Sequence, residues 1–296
     1  MRSLASTHPT PVFLAITYLI GAAVFALPLL ANTGIGLIDL DLPGVAPFIL
    51  LSAISLVAGA FVTTALADGR SGVRELRGRV FRFRVNPAWY VVALFGLPLV
   101  AIVTAAIVTT SNPIAAIAGN PDVMLGTLVA GSIVAFLLVN WWEEVGWTGF
   151  ALERLQPKLG PIGASVVTTW LQALLHLPLV FVVGGVTVGR VPTEQIPIYL
   201  VALFILPIAV RILITWIYNV TGRSVPIVGL FHAGLGVASN PDLTTVLFPG
   251  FAAGLVYAGF AVVAVAALVI TRGRLGFIAG STSAIGANAP IAATTA

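Results

Sequence analysis

Two adjacent carboxylates, Glu143 and Glu144, stand inside an otherwise apolar stretch, Asn140-Trp141-Trp142-Glu143-Glu144-Val145-Gly146-Trp147-Thr148-Gly149-Phe150. A charged side chain at bilayer depth is costly, and it marks a functional site by default. Two of the chain's 3 histidines, His176 and His232, also lie within apolar runs. A carboxylate and two imidazoles suit hydrolysis. A buried Glu can serve as general base toward a water. A neutral His orients that water or binds a metal, and a second His stabilises a developing oxyanion. Each residue also has a plainer reading. A single intramembrane His often only bridges helices by a hydrogen bond. Trp141, Trp142 and Trp147 read as packing or interfacial aromatics rather than substrate contacts. Other hydrolytic signatures are missing. No His is followed by Glu, so there is no His-Glu-x-x-His helix. There is no Gly-x-Ser-x-Gly turn either.

The elements that must carry these residues are membrane spans. The chain has 296 residues, 59% apolar and 8% charged, with mean hydropathy +1.08. A soluble domain carries about 25% charged residues. Cysteine is absent, which excludes disulfides, thiolate metal sites and a cysteine nucleophile. Nucleic-acid binding is not expected, because the basic residues flank apolar runs and form no aromatic-basic surface. The runs are Pro11 to Ala31, Val45 to Ala67, Ala88 to Thr110, Val123 to Leu155, Pro161 to Val183, Ile196 to Tyr218, the shorter Val225 to Ser239, and Val246 to Ile270. The first is longer than the 7–15 residues of a signal-peptide core, so a retained span is favoured over a cleaved leader. Asn120-Pro121-Asp122 reads as a cap opening the fourth.

The expected fold is therefore all-α, a polytopic membrane bundle of about eight transmembrane helices, each needing ~20 residues. Charge places both termini in the cytoplasm. With that orientation the inner segments hold Arg2, Arg70, Arg74, Arg77, Arg79, Arg82, Arg84, Arg154, Lys158, Arg223, Arg272 and Arg274, and the outer loops hold only Arg190. The basic stretch Asp68 to Pro87 thus reads as a cytoplasmic loop and topology signal in preference to an anionic-lipid site. The expected division is residues 1–122 as N-terminal spans, 123–240 as the core that carries the chemistry, 241–271 as a final span and 272–296 as a disordered tail. Counting residues from the inner helix ends puts Glu143 ~18 Å, His176 ~22 Å and His232 ~10 Å deep at 1.5 Å per residue. Three helices can thus bring them together in the inner-to-middle bilayer.

Three blocks in this order resemble the CPBP intramembrane proteases, which include the type II CAAX prenyl proteases. Glu143-Glu144-Val145-Gly146-Trp147-Thr148-Gly149-Phe150 is similar to the family's Glu-Glu-x-x-x-Arg helix. Trp170-Leu171-Gln172-Ala173-Leu174-Leu175-His176-Leu177-Pro178-Leu179 is similar to its second block. Val225-Pro226-Ile227-Val228-Gly229-Leu230-Phe231-His232-Ala233 is similar to its third. The likeness covers roughly residues 125–240. It implies Glu143 as general base, Glu144 as the residue that positions it, His176 as the holder of the attacking water and His232 as part of an oxyanion site. Cofactor use stays open between none and a divalent metal such as zinc, which Glu143, His176 and His232 would bind. Two positions depart from the pattern. The family's Arg falls on Thr148 and its Asn on Gly236. Arg211, a charge inside the sixth run, is the candidate partner for Glu144 in place of the missing Arg.

The resemblance implies an intramembrane endopeptidase in the cell membrane, acting on membrane-associated peptide or lipidated protein substrates among membrane lipids. The alternative is a catalytically silent relative serving as a binding, immunity or regulatory membrane protein. A transporter using the glutamate pair is disfavoured by the lack of internal repeats.

Overall fold

The computed structural model describes residues 2–186 and 189–278, and these residues contain no strand. Apolar runs of this length leave the backbone no partner but itself once water is gone, and helices follow. Those that carry the argument are α1 (Pro9–Leu30), α2 (Ala46–Ala67), α3 (Gly69–Val80) and α4 (Ala88–Thr109). A long helical run, Val123–Phe181, comes next. Gly160 (φ 67°, ψ 171°) breaks it into α5 (123–159) and α6 (161–181). The run Thr193–Val220 is α7, Val225–Ala238 is α8 and Ala253–Ile270 is α9.

Six of these helical runs are long and apolar enough to cross a bilayer. Division of the longest at Gly160 and addition of the shorter α8 give the eight-helix membrane bundle that the sequence predicts. Leu19, Ile107, Val262 and Ile270 face outward, as a lipid-facing surface requires. The closest pairs are α1 with α2 and α4 with α8. The helix α5 runs through the middle. Its Trp147 and Phe150 are buried against Phe13 of α1, with ring centroids 6.0 and 4.6 Å away. Two glycines let backbones approach α5. A Cβ on Gly229 of α8 would lie 2.8 Å from the Trp141 Cα, and one on Gly146 would lie 2.8 Å from a Leu56 methyl of α2.

Three segments differ from the sequence expectation. The basic stretch is not a loop along its length. Residues Gly69–Val80 form α3, which buries Leu76, Arg79 and Val80 and turns Arg70, Arg74 and Arg77 outward. The last span starts later than Val246, because a separate short helix, Pro241–Leu247, precedes a break before α9. The stretch expected to be a disordered tail begins with packed chain. Leu275 is buried, and its carbonyl accepts a hydrogen bond from Asn219 Nδ2 at 3.0 Å. Residues 279–296 lie outside the described residues. Asn120 does not cap forward; its amide donates back to the Ala116 carbonyl at 2.9 Å.

Candidate active site

Residues 141–146 form one α-helical turn and a half between wider π-helical stretches, 136–140 and 147–152. Such π-turns inside a helix gather at functional sites. Here they set the register of the glutamates. Glu143 is 3% exposed and Glu144 0%.

Each carboxylate meets an imidazole. His176 is the last α-helical residue of α6, where Pro178 starts a tighter 3-10 turn. Its Nε2 lies 3.5 Å from Glu143 Oε1. His232, on α8, places Nδ1 2.8 Å from Glu144 Oε1 and 4.0 Å from Glu143 Oε2. The Nδ1 edge of His232 thus stands against Glu144, which leaves Nε2 for other partners.

The other oxygen of Glu144 is held from a third direction. Arg211 of α7, 3% exposed, donates from Nη1 to Glu144 Oε2 at 2.8 Å and to Thr148 Oγ1 at 3.1 Å. Thr148 donates to the same Glu144 oxygen. The position where the sequence lacks an arginine is therefore filled by a hydroxyl that shares a guanidinium from another helix. Arg211 Nη2 in turn donates to Gln172 Oε1 on α6. The predicted site residues Glu143, Glu144, His176, His232 and Arg211 all fall in this one cluster.

Gln172 was not singled out by sequence reasoning. Its signal was its spacing, one turn before His176 on the same helix face. The structure leaves Gly236 with open space beside its Cα. Trp141 packs as expected, stacked on Trp142 at 4.5 Å, with its Nε1–H donating to the Val80 carbonyl at 3.0 Å. Arg154 does not stand free at the surface. It pairs with Asp68 and lies 3.8 Å over the Phe150 ring.

A cavity of ≈ 170 Å³ opens between α6, α7 and α8, lined by Thr169, Gln172, His176, Arg211 and His232 with apolar neighbours. That is room for several waters at ~30 Å³ each, and less than the ~300–1,000 Å³ of a whole-ligand pocket. A metal would need Glu143, His176 and His232 aimed at one point. Nδ1 of His232 faces Glu144 instead, and among the described residues no group of three or more His, Cys, Asp or Glu side chains is placed to hold an ion. The zinc set considered from the sequence is thus not assembled in this arrangement.

A membrane helix bundle thus brings two carboxylates, two imidazoles and a buried guanidinium into one cluster beside a small cavity. Residues 125–238 match the family model described as type II CAAX prenyl endopeptidase Rce1-like. That segment takes in every residue of the cluster, and the match supports the CPBP resemblance that the three sequence blocks carry. No curated protein matches the chain.

Proposed function

We propose that this protein is an intramembrane endopeptidase that hydrolyses peptide bonds of membrane-associated substrates with a glutamate-activated water. The observation that carries this reading is the pairing of Glu143 with His176 beside Glu144, His232 and Arg211, of which His176, His232 and Arg211 line one small cavity. The 3.5 Å between Glu143 Oε1 and His176 Nε2 exceeds the usual 2.7–3.2 Å of a direct N–H···O bond. A water bonded to both sits at the apex of that edge. Glu143 takes its proton as the oxygen adds to the carbonyl carbon, and the carbonyl π pair moves to oxygen. Glu143 then delivers the proton to the amide nitrogen as the C–N bond breaks. Glu144, charge-paired with Arg211, stands against the Nδ1 edge of His232 and so orients its ring beside the developing oxyanion. The orientation with both termini cytoplasmic and a place in the cell membrane belong to the same proposal, on the strength of the Arg and Lys distribution.

The test is cleavage of a panel of quenched, membrane-anchored peptides, prenylated and unprenylated, by purified protein in nanodiscs. Turnover that Glu143→Gln and His176→Ala abolish, with folding intact, supports the peptidase. The empty side-chain position at Gly236 favours a second reading, a silent relative that binds membrane proteins without cutting them. Well-folded protein that cleaves nothing in the panel would select that reading.

A further inference from the structure

Arg211 and Gln172 touch, and the contact dictates which way the Gln172 amide faces. A guanidinium has only donors, so the atom turned to Arg211 must be the amide oxygen. Oε1 does accept from Arg211 Nη2. The NH2 group is then the end of the amide that points elsewhere. Gln172 lines the same cavity as His176 and His232, and Nε2 has no hydrogen-bond partner among the described residues. The side chain is partly buried, one turn from His176, and clamped at its oxygen by a guanidinium that is itself fixed by Glu144 and Thr148. A donor held in advance on the wall of a small cavity, beside His176 and His232, is the kind of group that stabilises charge developing there.

We propose that Gln172 is a catalytic residue whose Nε2–H donates to the oxyanion of the tetrahedral intermediate, beside His232. This rests on the peptidase reading for its reaction. It also answers a deficit in the chain, since Gly236 on α8 offers no side-chain donor at all. When water adds to the scissile carbonyl and Glu143 takes the proton, the electron pair displaced onto oxygen accepts from Gln172 Nε2–H. When the C–N bond breaks, that pair reforms the carbonyl and the hydrogen bond relaxes. No co-reactant is needed beyond water.

Two variants separate donation from simple support of Arg211. Gln172→Glu keeps an oxygen for Arg211 and loses the N–H. Gln172→Met loses both. Donation predicts that both lower kcat by ~10²–10³-fold with KM little changed, the usual loss for one oxyanion donor. A Glu variant at wild-type kcat overturns the proposal and leaves the peptidase reading standing, because Gln172 would then act only through Arg211. A second readout needs no turnover. A membrane-anchored phosphonamidate peptide, which mimics the tetrahedral oxyanion, is compared with its parent amide for binding to the full chain in nanodiscs. Tighter binding of the phosphonamidate that Gln172→Met abolishes supports the donor even if the wild type cleaves nothing, an outcome that would sink only the peptidase reading. Equal binding of the two probes by wild type, or a phosphonamidate preference that Gln172→Met leaves unchanged, overturns the donor.

Discussion

The helix α5 passes through two polar layers of opposite character. The first holds Glu143, Glu144, Thr148, Gln172, His176, Arg211 and His232. The second lies ~15 Å further along the helix, ten residues on at Glu153. It joins Glu75 and Arg79 of α3 to Glu153 of α5 and Arg223 of the α7–α8 turn. Arg79 Nη1 is 2.6 Å from Glu75, Arg223 is 3.1 Å from Glu153, and Tyr218 donates to Glu153 at 3.0 Å. In the first layer Arg211 and Glu144 have side chains 3% and 0% exposed. In the second, Glu75 and Asp68 are 47% and 46% exposed. The first layer holds charge where desolvation costs several kcal/mol per ion, so a function is the default reason for keeping it. The second keeps one half-exposed carboxylate in each of the Glu75–Arg79 and Asp68–Arg154 pairs, so these pairs cost less and mainly orient helices, although Arg79 itself is buried. One residue reaches between them. Arg79 Nη2 donates at 3.2 Å to the carbonyl of Gly149, in the π-helical stretch just past the glutamates.

If that division is right, the largest effect on cleavage comes from Glu143. Glu143→Gln should lower turnover by ~10²–10⁴-fold, the usual contribution of a general base, while the protein elutes and melts like wild type. A second-layer substitution that matched this loss without unfolding the protein would break the comparison.

Arg211 should dominate stability. Arg211→Gln leaves Glu144 as a buried charge without its countercharge, and such losses cost ~3–5 kcal/mol. The measurement is the unfolding midpoint in mixed detergent. The sharper experiment adds Glu144→Leu to Arg211→Met. Two apolar residues in place of a buried pair should restore most of the stability, and cleavage should stay lost. Recovery of both would remove the functional reason for the pair.

The two layers were unequally legible in the sequence. Glu143, Glu144, His176, His232 and Arg211 stood out because an ionisable residue inside an apolar run has almost no ordinary explanation. Thr148 stood out only as the position where the family's Arg is missing, and Gln172 did not stand out, since neutral polar side chains are common in spans and their role depends on which helix Arg211 comes from. Arg79, Glu75 and Glu153 were invisible for the opposite reason. Arginines and glutamates beside a span are expected on topological grounds alone, so their pairing leaves no mark. The fold divides in the same way. Span count follows from length, and Gly160-Pro161 marks the turn between α5 and α6. The helix α3 was read as a loop because its arginines mark a cytoplasmic connection between spans. Its formation depends on burying Leu76 and Arg79 against α5, a tertiary effect.

The connecting residue should have an intermediate effect. Arg79→Met keeps the apolar stem and removes the donors to Gly149 and Glu75. A hydrogen bond from a charged group contributes ~1.5–3 kcal/mol, so the unfolding midpoint should fall measurably. Because the Gly149 carbonyl belongs to the stretch that sets the glutamate register, kcat should fall by roughly tenfold, the equivalent of ~1.4 kcal/mol. A midpoint shift with unchanged kcat would show that α3 braces the bundle without reaching the site.

The smallest effect belongs at the outermost pair, Asp68 with Arg154. Asp68 is half-exposed, and Arg154 keeps a second hold on the bundle through its position 3.8 Å above Phe150. Asp68→Asn removes the carboxylate charge but leaves that stacking and the surrounding apolar contacts. An exposed ion pair contributes ~0.2–1 kcal/mol, so the midpoint should move by a few degrees at most and cleavage should stay near wild type. Salt provides the internal control. At ~1 M salt the screening length is about 3 Å, and the difference between variant and wild type should vanish. A loss that persists in high salt would mean that Asp68 acts by geometry rather than charge. The second layer would then be part of the site's positioning apparatus, and the boundary between the two layers would have to move outward along α5.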